Sequence, residues 1–95
     1  MKDMLIKVLK EKIDSYKLNP YIIVLQKTNE SDPVFFENGN FGSSEFFQGE
    51  IIFTLDDNKT GDIRIIGEIG DGKNIKINHN VIIDRNGKVI SEGLY

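Results

Sequence analysis

Between residues 3 and 18, Met4, Leu5, Val8, Leu9, Ile13 and Tyr16 recur at helical spacing, and Lys7, Lys10, Glu11, Asp14 and Lys17 fall between them. A 3.6-residue period puts the first set on one stripe, so the segment reads as an amphipathic helix. Asp3 can accept from the amides of the first turn. Asn19-Pro20 ends the helix, because proline drives the residue before it out of the α region. Such a stripe requires a sheet or a partner to cover it.

After this helix the pattern changes. The run PYIIVLQKT (20–28) is continuously apolar and β-branched at its start, which fits a buried strand; a second short helix led by Asn19-Pro20 is the rival. TNESDP is a breaker, VFF (34–36) fits a short strand, and ENGNFGSSE (37–45) reads as a loop. From Glu45 onward the chain alternates. Ile51, Phe53 and Leu55 share one face of a strand; Ile63, Ile65 and Ile69 share one; Ile75, Ile77, His79, Val81 and Ile83 share one. DDNKTGD, GDGK and DRNGK join these as consecutive antiparallel strands.

Turn chemistry suggests the register. A three-residue loop Gly70-Asp71-Gly72, with Gly72 left-handed, sets Ile65 opposite Ile77 and Ile63 opposite His79, and the inward faces agree. A two-residue Asp71-Gly72 turn would set Ile65 against Asn78. The same three-residue form at Arg85-Asn86-Gly87 pairs Asp84 with Lys88 and Ile83 with Val89.

The expected fold is therefore α+β: a single domain over residues 1–95, with the N-terminal helix packed on a four- to five-stranded antiparallel β-meander. In element order it resembles, in outline, the cystatin-like grip of a sheet on a helix, a likeness that carries no motif and implies no activity. The sheet's other face is mostly polar (Arg64, Glu68, Lys76, Asn78, Asn80, Asp84), yet it pairs Ile52 with Ile66 and Ile82 with Ile90. Either the 20–36 segment covers part of that face, or it meets a partner or a second copy.

Composition narrows the chemistry. With 95 residues, 39% hydrophobic and 28% charged, the chain has the make-up of a one-core globular domain. No cysteine is present, which excludes disulfides, thiolate zinc sites and thiol nucleophiles. A net charge of -3 argues against a nucleic-acid partner. No apolar run is long enough for a membrane span, so a cytoplasmic location is expected. Residues 28–58 hold seven acids (Glu30, Asp32, Glu37, Glu45, Glu50, Asp56, Asp57) and no cation, a bias that suits either a solvated surface or a basic protein partner.

Four stretches invite a chemical reading. GEIGDGKN (67–74) imitates a phosphate loop, but alternating residues follow it where a helix is needed, and Asn74 replaces the metal-binding hydroxyl. DDNKTGDI (56–63) imitates a calcium loop, but the twelfth position is Gly67 instead of a bidentate Glu. His79 is the single histidine and falls on the inward face, as a core residue making one hydrogen bond; the rival is a ribonuclease-like toxin, which acidity and two arginines fit poorly. Ser43 and Ser44 lack the partners of a serine nucleophile.

The fourth stretch is FFENGNFGSSEFF (35–47), which holds five of the six phenylalanines. Phe35 or Phe36 and Phe46 or Phe47 can anchor a loop in the core while their neighbours face outward. Exposed aromatics beside acids also make a protein-binding surface, for which Phe36, Glu37, Phe41, Glu45 and Phe46 are the candidates, Phe41 foremost at the tip between Gly39 and Gly42. No cofactor, metal site or catalytic constellation is expected. The function these features suggest is a small non-enzymatic inhibitor of a macromolecule, as a toxin immunity protein or a phage-encoded inhibitor of a defence enzyme. The alternatives are a self-associating structural or virion component, with a homodimer possible, and the His-dependent toxin.

Overall fold

The computed structural model describes residues 2–30, 33–40 and 46–94. Two helices, α1 (Lys2–Lys17) and α2 (Tyr21–Glu30), precede five strands: β1 (Val34–Asn38), β2 (Phe47–Asp57), β3 (Asp62–Gly70), β4 (Lys76–Ile83) and β5 (Val89–Leu94). The strands form one sheet in the order β1-β2-β3-β4-β5, every neighbour antiparallel. The architecture is α+β, with a second helix added to the expected outline.

Helix α1 buries Leu5, Leu9 and Ile13, three residues spaced by four. Its seat on the sheet is Gly67: a Cβ added there would lie 2.6 Å from Ile13 Cδ1 and 2.7 Å from Leu9 Cδ1. The absent side chain lets the helix approach the strand backbone closely. Around this contact, Ile51, Phe53, Ile63, Ile65, Ile69, Ile77, Val81 and Ile83 from three strands close the core.

The strand expected over 20–28 is instead helix α2. The Pro20 carbonyl accepts from the amides of Ile23 (3.0 Å) and Val24 (3.4 Å), so proline opens the helix where its missing N–H costs nothing. Only Val24 is fully buried, whereas Ile22 is 65% exposed. A strand buried on both faces would have hidden both residues. The Tyr21 hydroxyl, donating to the Gly61 carbonyl at 2.7 Å, pins the start of α2 to the β2–β3 turn.

Strand alternation matches the burial of β3, where each second residue from Ile63 to Ile69 is buried. Register differs from expectation at the β3–β4 hairpin. Gly70 pairs with Lys76, leaving Asp71–Ile75 as a five-residue loop, so Ile65 lies opposite Val81 and Ile69 opposite Ile77. The cause is Asp71, whose Oδ1 accepts from the amides of Lys73 (2.8 Å), Asn74 (3.0 Å) and Ile75 (3.0 Å) and holds a wider turn than three residues. The slip of four is even, so the inward set is unchanged. Gly72 is left-handed, with φ at 77°.

The β4–β5 hairpin follows the expected form. Ile83 pairs with Val89, the Asp84 amide donates to Lys88 O at 2.9 Å, and Gly87 has φ at 78°. One step further a bulge between Ile82 and Ile83 moves the ladder, and Ile82 pairs with Ser91 instead of Ile90. Ile52 does pair with Ile66.

Both helices pack on one face of the sheet. Val24 of α2 and Leu9 of α1 join the same buried cluster, so the 20–36 segment leaves the other face open. The smallest extent, 19 Å, is that of two layers at about 10 Å each.

Candidate functional site

On the open face, outward residues of neighbouring strands line up in rows. One row runs Phe35, Glu50, Glu68, Asn78, and the next runs Glu37, Gln48, Gly70, Lys76. Together with the loop after β3 they bound a cleft of about 770 Å³, lined by Phe35, Glu37, Gln48, Glu50, Glu68 and Lys76 among others. Glu68 Oε1 pairs with Lys76 Nζ at 2.8 Å, and this bond, followed by the charge of Glu68, raises the Lys76 pKa. Glu37 and Glu50 form no ion pair among the described residues, and the Glu50 charge adds to the rise of the Lys76 pKa.

The phenylalanines divide as a strand divides them. Phe35 is 74% exposed on the open face. Phe36 points the other way, its ring against Gly49 and beneath the Lys12 ammonium at 5.4 Å from the centroid. Phe46 is 4% exposed and anchors the core, and Phe47 packs against it half-buried. Glu37 is exposed at the cleft. Phe41 and Glu45 lie outside the described residues. Of the five sequence candidates, Glu37 and Phe36 line the cleft, Phe36 also packing against the core, and Phe46 is buried, while Phe35 supplies the exposed ring.

The loops that imitate ligand sites spend their groups internally. In GEIGDGKN the amides that a phosphate would need are taken by the Asp71 carboxylate, and these amides, Ile75 first and Lys73 next, hold its pKa below the usual aspartate range. In DDNKTGDI, Asp57 Oδ1 accepts from Lys59 N at 2.8 Å, while Asp56 pairs with the Arg64 guanidinium at 2.9 Å on the open face. The two carboxylates diverge instead of facing one ion.

His79 is 3% exposed, in β4 opposite Gly67 and Leu94, not beside Ile63 as the three-residue loop would have it. Its Nε2 lies 2.9 Å from Glu92 Oε1. That same oxygen accepts from Lys17 Nζ at 3.2 Å, and Lys17 also pairs with Asp14 at 2.8 Å. An ionised carboxylate only accepts, so Nε2 carries the shared proton and His79 is a donor there. The Glu92 pKa is lowered, first by the bond from His79, against the opposing effect of burial, and then by Lys17. Burial pulls the Lys17 ammonium down, but its bonds to Asp14 and Glu92 outweigh this and leave it raised. The result is a chain of charges that ties the last turn of α1 to β5.

Sequence reasoning missed Glu92 and Lys17 as partners of His79. They are 75 residues apart along the chain, and the bulge that turns Glu92 inward has no separate signature in VISEG. Among the described residues no helix is long and apolar enough to cross a membrane. No protein-family model, curated protein or solved structure matches the chain.

Proposed function

We propose that this is a small non-enzymatic protein that docks a macromolecule with a basic surface and blocks it, as an immunity protein for a bacterial toxin or a phage-encoded inhibitor of a defence enzyme would. The observation that supports the reading is the cleft end of the open face. There Phe35 is 74% exposed beside Glu37 and Glu50, which have no ion pair among the described residues. An exposed aromatic ring offers anchoring area at small entropic cost, and unpaired carboxylates around it steer a cationic partner and fix its orientation. The sequence adds Phe41 and Glu45, of the segment between β1 and β2, to the residues assigned to this partner.

The chemistry at His79 supports the same choice over a nuclease toxin. An imidazole that is nearly inaccessible and already bonded to Glu92 has little access to a substrate's proton.

The test uses tagged wild-type protein and a Glu37→Lys/Glu50→Lys variant as parallel baits in lysate from the cells that produce the protein, with Phe35→Ala and Phe41→Ala as further baits. The reading expects one partner retained by wild type and lost from the charge-reversed bait, with unchanged melting temperatures. It also expects that the purified partner's activity falls when wild type is added. Equal recovery by both baits, or toxicity of wild type on expression that His79→Ala removes, would overturn it.

A further inference from the structure

The two edges of the sheet differ. Among the described residues no strand borders β1 or β5 on its outer side. Strand β5 is bulged, since Ile83 pairs with Val89 but Ile82 with Ser91, and its one charge, Glu92, is turned inward to His79 and Lys17. A bulge is one of the devices that close an edge to further pairing. Strand β1 has none. Its pairs run unbroken from Val34 with Ile51 to Asn38 with Phe47, and its one charge, Glu37, is exposed.

The free backbone groups of β1 can be counted from bonds at the two hairpins. Asp71 N donates to Ile75 O across β3 and β4, and Asp84 N to Lys88 O across β4 and β5. Along an antiparallel strand, bonded positions alternate between the two neighbours. Odd positions of β3 therefore bond β4, even positions of β3 and β2 bond each other, and odd positions of β2 bond β1. Those odd positions, Ile51, Gly49 and Phe47, face Val34, Phe36 and Asn38. The N–H and C=O of Phe35 and Glu37 are left pointing out of the sheet. The same two residues carry their side chains on the open face, Phe35 74% exposed and Glu37 without an ion pair among the described residues.

We infer that β1 accepts an extended segment of the partner as a sixth strand, with lysine or arginine at alternate positions beside Phe35 and Glu37 and apolar residues between them. The inference rests on the docking reading above and gives it a geometry. Main-chain bonds to Phe35 and Glu37 supply affinity, and the alternate side chains supply choice. On the open face a cation meets Glu37, with Glu50 one strand in, opposite Phe35, and the Phe35 ring offers its face. The cations already at that cleft are Lys76, held by Glu68 at 2.8 Å, and Lys73, in the loop after β3. On the helix side the neighbours are Val34 and Phe36, both half-buried, and the Lys12 ammonium lies 5.4 Å from the Phe36 ring centroid. A second cation there would be repelled, so the inward residues of the added strand are apolar.

The probe is an end-blocked heptapeptide alternating valine and lysine, titrated into the isotope-labelled protein and followed by the shifts of its amide resonances. It should bind with a Kd of about 1 mM or tighter, as weak complexes do, and move the amides of Phe35 and Glu37 most. A peptide of the same composition with its lysines grouped, and one alternating valine and glutamate, should each bind at least about threefold more weakly. Proline at 37 removes an N–H that the ladder to β2 does not use, whereas alanine removes only the carboxylate. Glu37→Pro should therefore bind the peptide at least about threefold more weakly than Glu37→Ala, the worth of one hydrogen bond. Melting curves check both variants. If the proline variant is unfolded, N-methylation of the peptide makes the same cut from the other side: one alternate set of its nitrogens should abolish binding when methylated, and the other set should not. No shift at about millimolar peptide, equal binding of the grouped peptide, or binding indifferent to proline at 37 or to methylation of either set overturns the inference. Glu37→Pro and Glu37→Ala also join the lysate baits above. A partner lost from the charge-reversed bait but held equally by these two leaves the docking reading standing and overturns strand addition. Absence of any partner overturns the docking reading, and the peptide titration still decides the edge.

Discussion

Replacing Gly67 by alanine tests the seat of α1 directly. The new methyl would stand 2.6 Å from Ile13 Cδ1 and 2.7 Å from Leu9 Cδ1, on two side chains with no exposed surface. Carbon atoms at optimal separation sit about 3.5–4.0 Å apart, so each contact is roughly 1 Å too short. Both opposing atoms end flexible side chains, but both lie in a filled core, so relief must come from off-rotamer shifts or from lifting the helix. Overpacking of this kind costs about 1–3 kcal/mol. For a chain of this size 1 kcal/mol moves the melting temperature by about 4–8 °C. Alanine is a better strand residue than glycine by only a fraction of that cost.

The assay is urea unfolding followed by circular dichroism, on Gly67→Ala, Ile13→Val and the pair. Ile13→Val alone should cost about 0.5–1.5 kcal/mol for the lost methyl. On the Gly67→Ala background it removes the nearest opposing atom, so the pair should be less destabilised than the sum by at least about 0.5 kcal/mol. A neutral or stabilising Gly67→Ala, or strict additivity in the pair, would refute the close seat of α1 on β3.

Four other outcomes follow from the same geometry. Because the folded-state pKa of Glu92 is depressed, by His79 first and by Lys17 as well, its contribution is present above the ordinary glutamate range and is lost as pH falls through the lowered value. Acid unfolding curves of Glu92→Gln should therefore be flatter than wild type over that range; the carboxylate is over a third exposed, and solvent screening keeps the difference below about 1 kcal/mol. Tyr21→Phe, which removes the donor to the Gly61 carbonyl, should lower stability by about 0.5–1.5 kcal/mol in urea titration. Ile22→Glu, exposed on α2, should stay within about 0.5 kcal/mol of wild type, whereas Val24→Ala in the core should exceed that clearly; equal effects would favour a strand over 20–28. Gly87→Ala should cost about 1–2 kcal/mol purely from its backbone angle, since nothing lies within 4 Å of the added carbon, and Gly87→Asn should cost less.

What could be read from the chain was whatever a local period or a local turn dictates. Helix α1, the alternating strands and the three-residue loop at 85–87 each depend on residues a few positions apart. Helix α2 was not decided by its own sequence, because YIIVL satisfies either geometry, and its exposure of Ile22 depends on there being no layer above it. The β3–β4 register turned on how many amides one aspartate gathers, which spacing alone does not tell. At the candidate site the aromatic, acidic character of 35–47 was legible, but which of Phe35 and Phe36 faces outward depends on pairing with β2, a partner many residues away. The His79–Glu92–Lys17 chain depends on a bulge and on a helix docked from the other end of the molecule.

The order of the strands has one more consequence, which concerns time. Every strand pairs with its neighbour in sequence, so each hairpin can close soon after its second strand leaves the ribosome, at small loop-closure cost. Helix α1 is made first, yet its binding surface is β3 with β4 beside it, and the charges that hold its last turn wait for Glu92 in β5. Through most of synthesis the stripe of Leu5, Leu9 and Ile13 therefore has no native surface to cover it. This small protein makes its first buried stripe long before its cover, and the arrival of β4 ends the exposure while β5 adds the ion pair.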